Sequence, residues 1–402
     1  MTTPWTARVR ARARRQEPPA VGARMVEASG AGATRGRVTR VVLRCPADLT
    51  PARDVAAVLA RPAVSDGPGS SAVVLLHGGG GRAEPRWARS WAARGHTALA
   101  LDLGAPRAVA GEARPARLDH AGIFDAVAQG TGHSWLHQAV EACVDAVTFV
   151  RSLPGVDPRA VGVCGVSWGG YVALLLASAD PRLRYAVDVY AAGFLARDSA
   201  WSALLRDLPA ATARRWTAAF DLARHVHRVT APTLWLTGTG DPCFPLDAFD
   251  ATAGLARGPV TRRIVPGLEH DHEAAWRLTE PYAFAAAALG GGPALPALRA
   301  ARVVGGHLRA EVESATPVLH AALHHTRDTG PWTTRRWRST VAVIDGATVR
   351  ADVPADGFSA AFLSARTATG TSTTGLLTGR AAETGRRPKG DPLWCVARNR
   401  TW

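Results

Sequence analysis

The 402 residues are 47% apolar and 20% charged, a balance that excludes a disordered chain and allows one large domain with a smaller companion. The formal charge of +15 is carried almost wholly by arginine, with Lys389 the sole lysine, and it is spread along the chain. No aromatic-interleaved basic face stands out, which argues against a nucleic-acid partner. No stretch offers the roughly 18 uninterrupted apolar residues of a membrane span, and the first thirty residues lack the apolar core of an export signal. Five cysteines (Cys45, Cys143, Cys164, Cys243 and Cys395) show no metal-ligand spacing. These features predict a cytoplasmic protein with reduced thiols, no metal, no cofactor and no membrane partner. The oligomeric state stays open.

Residues 1–35 are rich in Arg, Ala, Gly and Pro without periodicity and read as a disordered basic arm, with the dense run at 8–15 solvated. Residues 36–290 alternate apolar strands with helices. Strands are expected at 38–44, 55–60, 71–76, 97–101, 160–166, 185–190, 233–237 and 264–265. Helices are expected at 87–94, 134–153, 171–178 and 274–289. In the clearest of these, Val140, Cys143, Val144, Val147 and Val150 recur at helical spacing, and Pro154-Gly155 stops it. The alternation predicts an α/β fold, a mostly parallel sheet with helices on both faces. Residues 194–229, with Trp201 and Trp216, read as a helical cap insertion. Residues 291–300 read as a linker, 301–385 as a small β-sandwich-like domain on their period-two alternation, and 386–402 as a tail.

Gly165-Val166-Ser167-Trp168-Gly169 fits G-x-S-x-G, the strained strand-to-helix turn that presents a nucleophilic serine at the carboxyl edge of a sheet. A serine in a plain tight turn is the competing reading. The apolar strand before it, the helix-forming run after it and the added Gly170 favour the nucleophile. Upstream, His77-Gly78-Gly79-Gly80-Gly81 follows a strand, so the amides of Gly78 and Gly79 are expected to join that of Trp168 in an oxyanion hole. Downstream, Asp241 ends a buried strand, and the loop after 264–265 carries His270 and His272. Ser167, Asp241 and His270 thus follow the order serine, acid, histidine, with Ser167 as nucleophile, His270 as base and Asp241 orienting it. His272 is the alternative base; His270 is preferred as the nearer to the strand. His225 and His227 read as surface or packing residues, and Cys164 as buried packing.

These motifs resemble the acetylxylan-esterase-like and dienelactone-hydrolase-like branch of the α/β-hydrolases, close to the prolyl-oligopeptidase catalytic domain. The similarity spans residues 39–289 and is carried by LLHGGGG, VDPRAVGVCGVSWGGY, LTGTGDPCFPLD and GLEHDH. It implies a serine esterase that cleaves acetyl or other short acyl esters through an acyl-enzyme, on a small-molecule or carbohydrate substrate. A prolyl-oligopeptidase-type peptidase is the alternative, and a non-catalytic binding protein a further one. Two departures bear on the substrate: Trp168 stands where sugar deacetylases usually carry glutamine, and Ser167 where dienelactone hydrolases carry cysteine.

Overall fold

The computed structural model describes residues 4–15, 17–24, 38–46, 53–63, 69–104 and 120–379. In chain order they form α1 (Pro4–Arg14), β1 (Ala20–Arg24), β2 (Val38–Cys45), β3 (Arg53–Ala60), β4 (Ser70–Leu76), α2 (Pro85–Ala92) and β5 (Thr97–Leu101). Next come α3 (His120–Ile123), α4 (Trp135–Ser152), β6 (Val156–Val166), α5 (Trp168–Ala179), β7 (Tyr185–Val189), α6 (Ser202–Asp207) and α7 (Ala210–Phe220). They are followed by β8 (Thr233–Gly238), α8 (Leu246–Ala253), β9 (Val260–Val265), α9 (His272–Arg277) and α10 (Glu280–Ala288). The remaining strands are β10 (Ala297–Val304), β11 (His307–Glu313), β12 (His320–Thr326), β13 (Arg338–Val341), β14 (Val343–Asp345) and β15 (Thr348–Asp352). The last three are β16 (Ala360–Arg366), β17 (Thr371–Thr373) and β18 (Leu377–Thr378).

The main sheet runs β1-β2-β3-β5-β4-β6-β7-β8-β9. Pairing is parallel from β5 to β9 and antiparallel among β1, β2, β3 and β5. Every residue of β5, β7 and β8 is buried, because helices cover both faces, and this is why those strands read as unbroken apolar runs. Every residue of α5 is buried as well. The register Leu76–Gly165 and Val166–Val189 brings the ends of β4, β6 and β7 to one edge, where the motif loops gather.

Two sequence expectations fail within this layer. The segment taken for a disordered arm contains α1, whose Trp5 and Val9 are buried. Arg12 is buried too, and its guanidinium holds Asp145 of α4 through Nε–Oδ1 at 2.8 Å and Nη2–Oδ2 at 2.7 Å. A two-pronged ion pair to a carboxylate 133 positions away satisfies a charge that local reading assigns to solvent. The expected tail at 386–402, like residues 25–35 of the arm, lies outside the described residues. The single helix expected at 274–289 is two, α9 and α10, broken at Leu278-Thr279, with Pro281 in the first turn of α10.

Strand β10 begins at Ala297, inside the expected linker. The C-terminal strands form two antiparallel layers, β17-β16-β12-β13 with β18 beside β16, and β10-β11-β15-β14. Leu308, Val312, Leu323, Val349 and Leu363 fill the space between them. The first layer continues the main sheet, since β17 pairs with β9 at Thr373–Arg262 and the Ile264 amide donates to Thr373 Oγ1 at 3.2 Å. Among the described residues, no helix is long and apolar enough to cross a membrane. Cys45, Cys143 and Cys164 are free and buried. Cys243 is disulfide-bonded, so the expectation of five reduced thiols fails at that position.

Candidate active site

Ser167 sits between β6 and α5 with φ 57° and ψ −123°, a backbone conformation that a side-chain-bearing residue adopts only when its surroundings compel it. Those surroundings are backbone. A Cβ on Gly165 would lie 2.1 Å from the Gly169 carbonyl oxygen, and one on Gly169 would lie 2.1 Å from that of Leu76. Two strands and a helix start therefore close around the turn, and only glycine fits at either flank. The Ser167 amide donates to Val189 O at 2.8 Å, which ties the turn to the tip of β7.

His270 Nε2 lies 2.8 Å from Ser167 Oγ, and its Nδ1 lies 2.8 Å from Asp241 Oδ2. The chain thus brings together three residues separated by up to 103 positions. Asp241 is buried, and its other oxygen accepts the amides of Cys243 at 2.7 Å and Phe244 at 2.9 Å. With one oxygen held by two amides, the other is aimed at the imidazole. The His270 loop is fixed from β7: the Tyr190 hydroxyl lies 2.8 Å from Glu269 O and 3.2 Å from Asp271 O, and its ring sits 4.5 Å from the His270 ring. Asp271 caps α9 by accepting the Ala274 amide at 2.8 Å. Tyr190 and Phe244 are the functional neighbours that sequence reasoning missed. Their positions, at a strand tip and just past the acid, are the only sequence signals they carry.

His272 occupies a different place. Its Nε2 accepts the Gly78 amide at 2.9 Å, and burial, followed by the nearby His77 and His270, lowers its pKa to about 4. It is therefore a neutral acceptor at pH 7, and the Gly78 amide, expected in the oxyanion hole, is already donated. The amides of Gly79 and Trp168 enter no hydrogen bond among the described residues. The Trp168 ring turns away from solvent into an aromatic nest of Trp201 at 4.7 Å, Tyr171 at 5.1 Å, Phe124 at 6.0 Å and Phe244 at 6.2 Å. Trp216, on α7, donates its indole N–H to Ile123 O at 3.0 Å.

Beneath the turn, Asp188 is fully buried on β7, and burial drives its pKa well above the carboxylate range. Its Oδ1 accepts the Ala191 amide at 3.1 Å. Burial likewise pushes the Cys164 thiol up, which fits packing rather than nucleophilic chemistry. His225 is buried 5.3 Å from the Trp5 ring, the packing role expected of it. Among the described residues, Asp241, Cys243 and His270 are the group with metal-ligand proximity. The donor set does not suit a metal: the Cys243 sulfur is in a disulfide, the Asp241 oxygens face two amides and a histidine, and His270 spans Asp241 and Ser167.

The fold is similar to that of an acetyl xylan esterase from Paenibacillus sp. R4, with TM-score 0.54 and 21% identity over 67% of this chain and 88% of that one. It is also similar to acetyl xylan esterase 1 from Thermoanaerobacterium sp. JW/SL YS485, with TM-score 0.51 and 16% identity over 67% and 87%. A 50-residue stretch is 46% identical to the thiohydrolase aneE of Aspergillus aculeatus, and the match spans 12% of this chain and 16% of that protein. The Dienelactone hydrolase family matches residues 55–256, a span that holds Ser167 and Asp241 and stops short of His270. On that match, and on an α/β-hydrolase sheet that carries its serine at a strained strand-to-helix turn, the chain belongs to the Dienelactone hydrolase family.

Proposed function

We propose that this hydrolase-family chain is a serine esterase that cleaves acetyl or other short acyl esters through an acyl-enzyme. The observation that carries the reading is the unbroken line Asp241–His270–Ser167, two contacts of 2.8 Å each, ending on a serine held at positive φ. Ser167 Oγ attacks the ester carbonyl while His270 Nε2 takes its proton. The proton then passes to the departing alkoxide, and water attacks the acyl-serine by the same route. Asp241 holds the tautomer with Nδ1 protonated and stabilises the imidazolium. The amides of Gly79 and Trp168 serve the tetrahedral oxyanion, a contribution of about 3 to 4 kcal/mol per donor. The two β layers after Ala297 act as a second domain outside this chemistry.

The thiohydrolase likeness adds thioesters to the substrates to be tried, since the same attack expels a thiolate. Labelling of the purified chain with a fluorophosphonate, read by intact mass and peptide mapping, tests the assignment. A single adduct on Ser167, absent in Ser167→Ala, is expected, with turnover of short acyl p-nitrophenyl esters falling by at least about 10³-fold in that variant. No adduct on folded protein overturns the reading. Cleavage of aminoacyl amides without ester turnover replaces it with a peptidase.

A further inference from the structure

The end of α5 remote from Ser167 borders a cleft of about 810 Å³ enclosed by α1, the last turn of α4, Pro181-Arg182, and the segment at Arg228 and Thr230. Helix α5 spans Trp168–Ala179, so the cleft lies roughly 18 Å from the serine at 1.5 Å per residue. Among the described residues, five arginines line it (Arg10, Arg14, Arg151, Arg182 and Arg228), and no lining residue is acidic. Two carboxylates lie close by: Asp180 grips the lining Arg182 at 2.8 and 2.6 Å, and Asp157 pairs with Arg159 at 3.3 Å, outside the lining, while both offset part of the charge around Arg151.

Several of these guanidinium groups are set in place. Arg182 also donates to Thr148 Oγ1 at 2.9 Å, Arg151 donates to Pro158 O, and Arg228 lies 3.0 Å from His225 Nδ1. Burial, and then Arg182, lowers the pKa of Arg151; burial, and then Arg10, lowers that of Arg228. Cations are thus crowded into one concavity where, among the described lining residues, arginines are the charged groups, an arrangement that an anion relieves. Guanidinium forks match phosphate oxygens two at a time. The volume falls within the roughly 300–1,000 Å³ of small-molecule sites, and among the described residues no aromatic lines the wall to stack a base.

We propose that this arginine-lined cleft is a binding site for a small molecule carrying several phosphate groups, separate from the serine site. Inorganic tripolyphosphate is the probe, titrated calorimetrically into the full chain at low salt. Saturable uptake at one site is expected, weakening as salt rises. The double variant Arg10→Gln/Arg14→Gln should weaken uptake by at least about tenfold. Because the whole chain is basic, the control Arg309→Gln/Arg350→Gln removes the same charge from a cross-strand pair on β11 and β15. It should change affinity by less than about twofold. Pro181→Glu, at an exposed lining position, keeps every arginine and should weaken uptake as well. The absence of saturable uptake, or equal losses in the cleft and control variants, overturns the proposal.

Discussion

The parallel strands and the C-terminal layers bury side chains under different rules. Strands β5, β7 and β8 are buried at every position, whereas β11 alternates strictly between buried and exposed because one of its faces meets solvent. In the first setting a polar group cannot escape to water: some are held by hydrogen bonds, while the Tyr185 hydroxyl and Thr237 Oγ1 are buried with no hydrogen-bond partner among the described residues. Asp241 is held by two amides and His270, while burial raises the pKa of Asp188 on the neighbouring strand. On β11 the polar residues Arg309, Glu311 and Glu313 point outward. Strands β12 and β16 between them do bury polar side chains, among them His324, which sits between the hydroxyls of Ser339 at 2.7 Å and Ser364 at 2.9 Å. Chemistry concentrates where polar groups are trapped at the edge of the fully buried sheet.

The sharpest break of this comparison is Asp241→Asn. It keeps the shape and places an amide where the carboxylate orients His270, so kcat should fall roughly 10³- to 10⁴-fold with the melting temperature little changed. A near-normal rate with a p-nitrophenyl ester would remove Asp241 from the mechanism. Leu323→Ala strikes the other region. Leu323 is fully buried between the β layers, and the loss should cost about 2–5 kcal/mol in denaturant unfolding. The rate per folded molecule should hold, and a matching loss of kcat would mean the layers shape the site directly.

Acid should act on the molecule through its buried histidines. Burial is the first cause lowering His96, His225, His272 and His324 to about 4. The unfolded chain takes up these protons near pH 6.5 and the folded chain withholds them until about pH 4. Stability is therefore untouched by these groups above pH 6.5 and declines as pH falls from there to about 4, by up to about tenfold in the folding constant per histidine per pH unit. Urea midpoints equal at pH 7.5 and pH 5 would contradict this. The smallest effect belongs to Asp188→Asn. It puts an amide of the same shape at a carboxyl that lies outside the Ser167–His270–Asp241 contacts, so activity should stay within about threefold; a collapse like that of Asp241→Asn would mean that Asp188 takes part in the site.

The order and framing of Ser167 and Asp241 were legible because each follows an apolar run, where the periodicity itself marks the sheet's edge, and His270 because it lies in the loop after the next short strand, Val260–Val265. The choice between His270 and His272 was not. Both lie in one loop, and what separates them is the Tyr190 hydroxyl at two of that loop's carbonyls. Gly78 misled for a similar reason: where an amide points is settled by what packs against it, here His272. Helix α1 escaped notice because its apolar face is only Trp5, Val9 and Ala13, set among arginines, and its anchor Asp145 is supplied from α4.

The contact between Thr373 and Arg262 has a consequence for the sheet's outer limit. Strand β9 is the last of the parallel set, and an unpaired strand there would offer its N–H and C=O groups to any passing chain. The C-terminal layers occupy that position with a strand from the same molecule. Cut off before Ala297, the hydrolase sheet would end in a bare ribbon at Val260–Val265, open to addition by a second molecule. On this view the β layers cover an edge that would otherwise be open to self-association.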